Sequence, residues 1–243
     1  MPEGPSIVIL KEESHPFKGR KVIEVGGNSK VGIERMLNRK VVEFRSFGKQ
    51  FLICFKTFTV RIHLMLYGSY RINESKETAP RLSLKFSNGV LNFYACSVRI
   101  IEDDLDDLYD WSADVMAPAW DPKAAVRKLQ AAPDTFVCDA LLDQQIFAGV
   151  GNIIKNEVLF RVKINPLSLL GAIPLKQLKL LVKETHHYCF QFLEWKKNYE
   201  LKKHWLAHTK TICPRDNVRF SFGYLGKTNR RSFYCEVCQV LYT

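Results

Sequence analysis

LLDQQIFAGVGNIIKNEVLF, residues 141–160, is the stretch on which the fold turns. Two apolar segments with helical spacing flank Gly149-Val150-Gly151-Asn152. Glycine lacks the Cβ that blocks tight backbone geometries, so the pair permits a sharp reversal between helices. Asn152 is placed to cap the second helix, since a short polar side chain can satisfy orphan N–H groups of a first turn. A helix start behind glycines also presents backbone N–H groups, a ready site for phosphate. A plain helical hairpin would carry the same pattern, so the neighbouring sequence has to discriminate.

Outward from this stretch, Asp121-Pro122 reads as a helix start with proline in the first turn. Segments near 123–131, 135–147, 153–160 and 174–197 all have helical spacing. Leu175, Leu178, Leu181, Val182, Thr185, Tyr188 and Phe192 form one stripe, which predicts core. From about His204 the chain becomes a small, basic, cysteine-bearing β-like module. Cys235-x2-Cys238 has the spacing with which two thiolates of a tight turn bind one ion. Upstream stands Cys213-Pro-Arg-Asp216, where a second C-x2-C would be expected. Three thiolates and the Asp216 carboxylate can hold Zn²⁺ tetrahedrally, with His208 the other candidate for the fourth place. Between the halves, Gly226 and Asn229 predict a turn with Lys227, Arg230 and Arg231 on or near it, suited to phosphate contact.

Toward the amino terminus the signal is β, from Val41 to about Ile101. In RLSLKFSNGVLNF (81–93), Leu82, Leu84 and Phe86 alternate with Arg81, Ser83 and Lys85, the period of a half-buried strand. Asn88-Gly89 predicts a type I′ hairpin, whose central residues both take φ > 0. Lys49 lies in a turn before a strong strand in RSFGKQFLICF (45–55). In RIHLMLYGSYRI (61–72), Leu64 to Tyr67 make an apolar run ending at Gly68. Leu64 reads as core; exposed apolar residues at a strand end could wedge into a base stack. Residues 5–14 predict a short helix stopped by His15-Pro16, because a residue before proline avoids the helical region.

The 243 residues carry 36 Lys plus Arg against 25 Asp plus Glu, a net charge of +11, which points to a polyanionic partner. The balance from Lys196 to Thr243 is ten basic against three acidic residues, or +7. Glu102 to Asp110 holds six acids, read as a solvated connector. With no secretory leader pattern and no long apolar run, a cytoplasmic chain without a membrane partner is expected. Of seven cysteines, Cys54, Cys96, Cys138 and Cys189 are scattered, as buried thiols of a reducing compartment would be.

At the other end the chain opens MPEGPSIVILKEE (1–13), with proline and an acid directly behind the initiator methionine. Five features now stand in one order: this Pro-Glu, the G-K turn at Lys49, HLMLYG (63–68), GVGN (149–152), and the hairpin ending CEVCQ (235–239). In that order they resemble the formamidopyrimidine-DNA glycosylase and endonuclease VIII family of bifunctional DNA glycosylases, nearer the endonuclease VIII branch, essentially end to end. The resemblance implies an α+β multidomain fold: an N-terminal two-sheet β-sandwich catalytic domain (1–115), a helical helix-two-turn-helix domain (116–203) and a zinc-finger β-hairpin (204–243).

It also implies roles. Pro2, freed of Met1, would be the nucleophile, and Glu3 the acid that protonates the deoxyribose ring oxygen. Lys49, His63, Asn152 and Arg230 would grip phosphates flanking the lesion, with Arg231 as the alternative within its doublet. Met65, Leu66 and Tyr67 match residues that fill the gap left by a flipped base. Cys213, Asp216, Cys235 and Cys238 would hold a structural zinc. An α-amino group titrates near 7.7–8.0 against about 10.4 for lysine, so more of it is unprotonated at neutral pH. A secondary amine attacking C1′ gives a charged iminium, an electron sink that acidifies C2′ and permits β- and then δ-elimination.

Ser6 stands where many relatives carry glutamate, Asp216 replaces the usual cysteine, and the short segment from Phe160 to Lys176 leaves little room for a long capping loop. The expectation is a monomer acting on DNA with oxidised bases, chiefly pyrimidines, or abasic sites, in a bacterial cytoplasm at the nucleoid. A non-catalytic damaged-DNA or single-strand DNA-binding paralogue is the rival from another class. An RNA-binding zinc ribbon is a third, which leaves Pro2-Glu3 unexplained.

Overall fold

The structure is a computed structural model that describes residues 2–243. The fate of Met1 therefore lies outside the described residues. The chain divides into two compact units, one ending at Tyr109 and the other running from Asp110 to Thr243.

The first unit begins with helix α1 (Gly4–Glu13), entered through Glu3 in extended conformation with Pro5 in the first turn. Proline suits that place because a first-turn N–H has no helical partner. The helix ends at Ser14, and His15–Phe17 form a single 3₁₀ turn. Eight strands follow: β1 (Glu24–Gly26), β2 (Glu43–Phe47), β3 (Gln50–Cys54), β4 (Thr59–His63), β5 (Ser69–Ile72), β6 (Leu82–Phe86), β7 (Gly89–Tyr94) and β8 (Ser97–Ile101). They form two antiparallel four-stranded sheets, ordered β2-β3-β4-β8 and β1-β6-β7-β5. Their inward residues make one core: Phe51, Ile53, Val60 and Ile62 from the first sheet, Leu82, Leu84, Leu91 and Phe93 from the second. Alternation along β6 buries Leu82, Leu84 and Phe86 as the sequence predicts. Short strands with tight turns suit a sandwich or a small barrel, and the two sheets make it a two-layer sandwich. α1 packs over β2 and β3, burying Ile7 and Leu10.

The β6–β7 turn corrects one expectation. Phe86 pairs with Gly89, so the loop residues are Ser87 and Asn88, and neither takes positive φ. Positive φ falls on Gly89 itself, where a Cβ would sit 2.0 Å from Asn73 Oδ1, the atom that accepts the Val90 N–H at 2.9 Å. The turn is therefore not type I′. A side chain from outside the hairpin selects the glycine. The acidic stretch carries the short helix α2 (Leu105–Leu108), capped by the Asp104 carboxylate. Two of its acids are paired within the unit, Glu102 with Arg35 and Asp106 with Arg45.

The second unit contains α3 (Pro122–Gln130), α4 (Val137–Ala140), α5 (Asn152–Arg161), α6 (Leu175–Lys197) and the hairpin β9 (Ser221–Leu225) and β10 (Arg230–Tyr234). Asp121 caps α3, as its sequence position predicts. The expected helix over 135–147 shrinks to the four residues of α4, and turns replace the rest. Gln144 holds those turns, donating to the carbonyls of Leu142 and Val150 and accepting the Gly149 N–H. The α6 stripe is buried except at Leu175. After the hairpin the chain returns to the helices, where Gln239 donates to the Ile164 carbonyl and Val240 accepts the Asn165 N–H. Cys54, Cys96, Cys138 and Cys189 are all buried, and burial pushes the first three thiols up to about 11. Among the described residues no helix is long and apolar enough to cross a membrane.

Candidate functional site

In the first unit, Glu3 has no solvent exposure and Pro2 is half-buried. Glu3 stands at the N-cap of α1, and its carbonyl accepts the Ser6 and Ile7 N–H groups. The positive end of the helix dipole favours an acid there. Ser6, where the sequence resemblance led to the expectation of a second carboxylate, is itself buried. Burying a carboxylate is unfavourable without a compensating environment.

α1 lies over the hairpin whose tip carries Lys49. Phe47 pairs with Gln50, so Gly48 and Lys49 form a two-residue loop, and Gly48 supplies its positive φ of 53°. Gln50 pairs in turn with His63 at the end of β4, which brings Lys49 and His63 to the same end of the sheet. Burial, with the nearby charges of Lys49 and Arg61, lowers the pKa of His63. Its Nδ1 accepts the Met65 N–H at 3.0 Å, which places the ring proton on Nε2. The result is a neutral imidazole with a fixed N–H donor.

The loop after His63 is closed by the Gly68 N–H donating to the Leu64 carbonyl at 2.7 Å. A Cβ on Gly68 would lie 2.0 Å from that oxygen, so only glycine permits the closure. Leu64 is buried, as expected, while Met65, Leu66 and Tyr67 point outward, Tyr67 with 84% of its surface exposed. Three consecutive exposed apolar side chains on a tight loop are a built protrusion.

In the second unit the N-cap of α5 is Gly151, not Asn152. Asn152 is the first helical residue, and its amide donates to the Arg231 carbonyl at 2.9 Å. The expected cap thus gives way to a tie between α5 and the hairpin. Asn156 and Lys155 converge on the same strand. Lys155 Nζ donates to Ser232 Oγ at 2.7 Å, and Asn156 donates to the Asn152 carbonyl and accepts the Phe233 N–H. Glu157, fully buried, accepts N–H groups from Leu206, Ala207 and His208. Asp139 on α4 accepts the Lys227 and Thr228 N–H groups at 2.8 and 2.9 Å and the Thr228 hydroxyl at 2.7 Å, pinning the hairpin tip. Gly226 makes room for that carboxylate: its φ is +68° and a Cβ would meet Asp139 Oδ2 at 2.3 Å. Asp139, Lys155, Asn156 and Glu157 escaped the sequence reading, although three adjacent polar residues inside an apolar helix were a usable signal.

The Arg230–Arg231 doublet is resolved by alternation on β10. Arg230 shares the face of buried Ser232, toward α5, whereas the Arg231 guanidinium lies 4.9 Å from the centres of the Phe222 and Phe233 rings.

Cys213, Asp216, Cys235 and Cys238 form one cluster, with their ligand atoms within 4.8 Å of one another, a set that could hold a metal ion. Asp216 Oδ2 lies 3.3 Å from Cys213 Sγ and 3.2 Å from Cys235 Sγ, and Cys213 and Cys238 sulfurs are 3.9 Å apart. A tetrahedron with metal–sulfur bonds of about 2.3 Å has edges of roughly 3.8 Å, so the donor set fits one ion. His208 does not join it. Its Nδ1 faces Asn156 at 3.2 Å, and burial with the charge of Lys155 lowers its pKa to about 4. Arg215 reaches Cys238 Sγ at 3.4 Å and donates to the Phe160 carbonyl at 2.7 Å, linking the cluster to the end of α5.

Residues 112–198 match the family described as the formamidopyrimidine-DNA glycosylase H2TH domain. Endonuclease 8-like 3 of Mus musculus is 28% identical over 203 residues, covering 80% of this chain and 34% of the relative. Endonuclease 8-like 2 of Bos taurus is 32% identical over 200 residues, covering 74% of this chain and 58% of the relative. The chain therefore spans about a third to just over half of the length of these relatives. The solved structure of Lactococcus lactis formamidopyrimidine-DNA glycosylase, non-covalently bound to DNA containing an abasic site, superposes with a TM-score of 0.86. At 20% identity it covers 98% of this chain and 99% of that one.

Proposed function

We propose that this chain is a member of the formamidopyrimidine-DNA glycosylase and endonuclease VIII family and a bifunctional DNA glycosylase with AP lyase activity. The observation that carries the reading is the buried Glu3 carboxylate at the start of α1, immediately behind the half-buried Pro2.

With Met1 removed, the Pro2 amine attacks C1′ of the damaged nucleotide and the C1′–N bond breaks. Glu3 delivers a proton to the ring oxygen as the sugar opens, leaving a C1′ iminium on Pro2. Loss of the C2′ proton expels the 3′ phosphate by β-elimination, and a second elimination expels the 5′ phosphate. Lys49 supplies positive charge beside the developing phosphate anions. The His63 Nε2–H donates to a phosphate oxygen as a neutral group, and Asn152 and Arg230 grip the strand from α5 and the hairpin. Met65, Leu66 and Tyr67 fill the stack after the base has left it. The cysteine–aspartate cluster takes a structural zinc ion, which holds the base of the hairpin. The short segment between α5 and α6 favours oxidised pyrimidines over purines, and the protein works on this DNA as a monomer.

Borohydride trapping on duplex DNA with an abasic site or an oxidised pyrimidine, beside an intact-mass measurement, tests the reading. A covalent adduct is expected, lost in Pro2→Gly and in protein that retains Met1. Protein without Met1 that binds this DNA and forms no adduct would instead be a binding-only paralogue, with Ser6 the first position to restore to glutamate.

A further inference from the structure

The hairpin has two faces, and the helices use only one. Ser232 and Arg230 on β10 and Leu225 on β9 lie on the inner face, where Ser232 bonds Lys155 and Leu225 packs on the helical core. Phe222, Tyr224, Arg231 and Phe233 lie on the outer face, with Phe222 opposite Phe233 and Tyr224 opposite Arg231. Phe222 is 65% exposed and Tyr224 69%. Large aromatic residues are ordinarily a fold's best core material, so two of them displayed side by side call for a ligand.

A pocket of about 530 Å³ opens beside them. Phe220, Phe222 and Phe233 supply its aromatic wall, and Lys210, Arg219 and Arg231 its charge; no lining residue is acidic. Flat rings next to three cations match a flat, anionic ligand repeated along a strand. A protein segment would satisfy the cations or the rings, whereas a nucleotide satisfies both with adjacent atoms. Within a duplex each base covers its neighbour's π-face, so only an unpaired base can lie on Phe222.

We propose that the outer face of the hairpin binds an unpaired nucleic-acid strand, with one base stacked on Phe222 and flanking phosphates held by Lys210, Arg219 and Arg231. The proposal rests on the DNA-acting reading above and adds to it a second contact surface, used where the substrate carries a single-stranded segment. Arg231 thereby takes a role distinct from that of Arg230.

Fluorescence anisotropy with two probes tests it: a 12-nucleotide oligothymidylate and a blunt duplex bearing one abasic analogue. Phe222→Ala should weaken oligothymidylate binding about tenfold, in the range reported for removing one stacking platform, and change duplex binding less than twofold. Phe222→Trp should restore it. Arg219→Ala should lower the salt slope for the single strand by about 0.7, the value for one lost phosphate contact. Unchanged oligothymidylate affinity in Phe222→Ala, or an equal fall for both probes, would overturn the inference while leaving the glycosylase reading intact. Wild-type protein that binds neither probe would sink both.

Discussion

Glu157 offers the sharpest test of how the second unit is held together. Its carboxylate has no solvent exposure and accepts three backbone N–H groups, those of Leu206, Ala207 and His208. Glu157→Gln keeps the shape and removes the charge. Oε1 accepts all three N–H groups, those of Leu206, Ala207 and His208 at 3.1, 2.9 and 2.7 Å, so in the variant all three survive as neutral bonds, each weaker by roughly 1 kcal/mol. The other oxygen, 2.9 Å from the Leu206 N–H, becomes an NH₂, and that donor–donor contact costs about 1 kcal/mol more. The expected loss is about 4 kcal/mol, well above the usual effect of a point substitution. For a unit of this size that corresponds to roughly 10–15 °C in Tm. Urea and thermal unfolding, followed by tryptophan fluorescence, measure it directly. A loss under about 1 kcal/mol would refute the argument from a charged anchor.

Two other perturbations address the hairpin base and the sheet end. Asp216→Ala should lower zinc stoichiometry under mild chelation and reduce duplex affinity, and Asp216→Cys should restore both; folded protein that binds DNA yet contains no metal by elemental analysis would refute the zinc assignment. The pKa of His63 is lowered, so below the ordinary value near 6.5 the unfolded chain binds a proton that the folded one does not. Stability should therefore fall as pH drops through that window, and less steeply in His63→Leu; parallel curves for the two proteins would remove His63 as the cause.

The sandwich was legible because its strands face water on one side and core on the other, as Leu82, Leu84 and Phe86 do against Arg81, Ser83 and Lys85. The same rule fails on α5. Read as a surface helix, NIIKNEVLFR should turn Lys155, Asn156 and Glu157 to solvent, yet all three are buried. Periodicity reports polarity and cannot tell that a strand will arrive with unpaired carbonyl and amide groups for these side chains to bond. Asn152 fails for the same reason. Its sequence position suits a cap, and the Arg231 carbonyl, 79 residues away, claims the side chain instead. The cysteine–aspartate cluster was legible up to one choice, since spacing favours Asp216 but leaves His208 open. Only the placement of His208 against Asn156 settles that choice.

The buried polar side chains of α5 also explain why a hairpin of five-residue strands can present ligands at all. A lone two-stranded ribbon is marginal in water. This one is fixed at three points: Asp139 at its tip, Asn152, Lys155 and Asn156 along β10, and the cysteine–aspartate cluster at its base. Each fixing point uses backbone groups or inner-face side chains of the ribbon. On the outer face Phe233 is the buried ring, edge-on to His208, which leaves Phe222 and Tyr224 to be displayed without destabilising the strands that carry them. Gly226 belongs to the same construction, because any side chain there would expel the Asp139 carboxylate and release the tip. Rigid attachment on one side and exposed aromatic surface on the other are one design, and a hairpin held by the cysteine–aspartate cluster alone would lack the stiffness to offer its rings in a fixed plane.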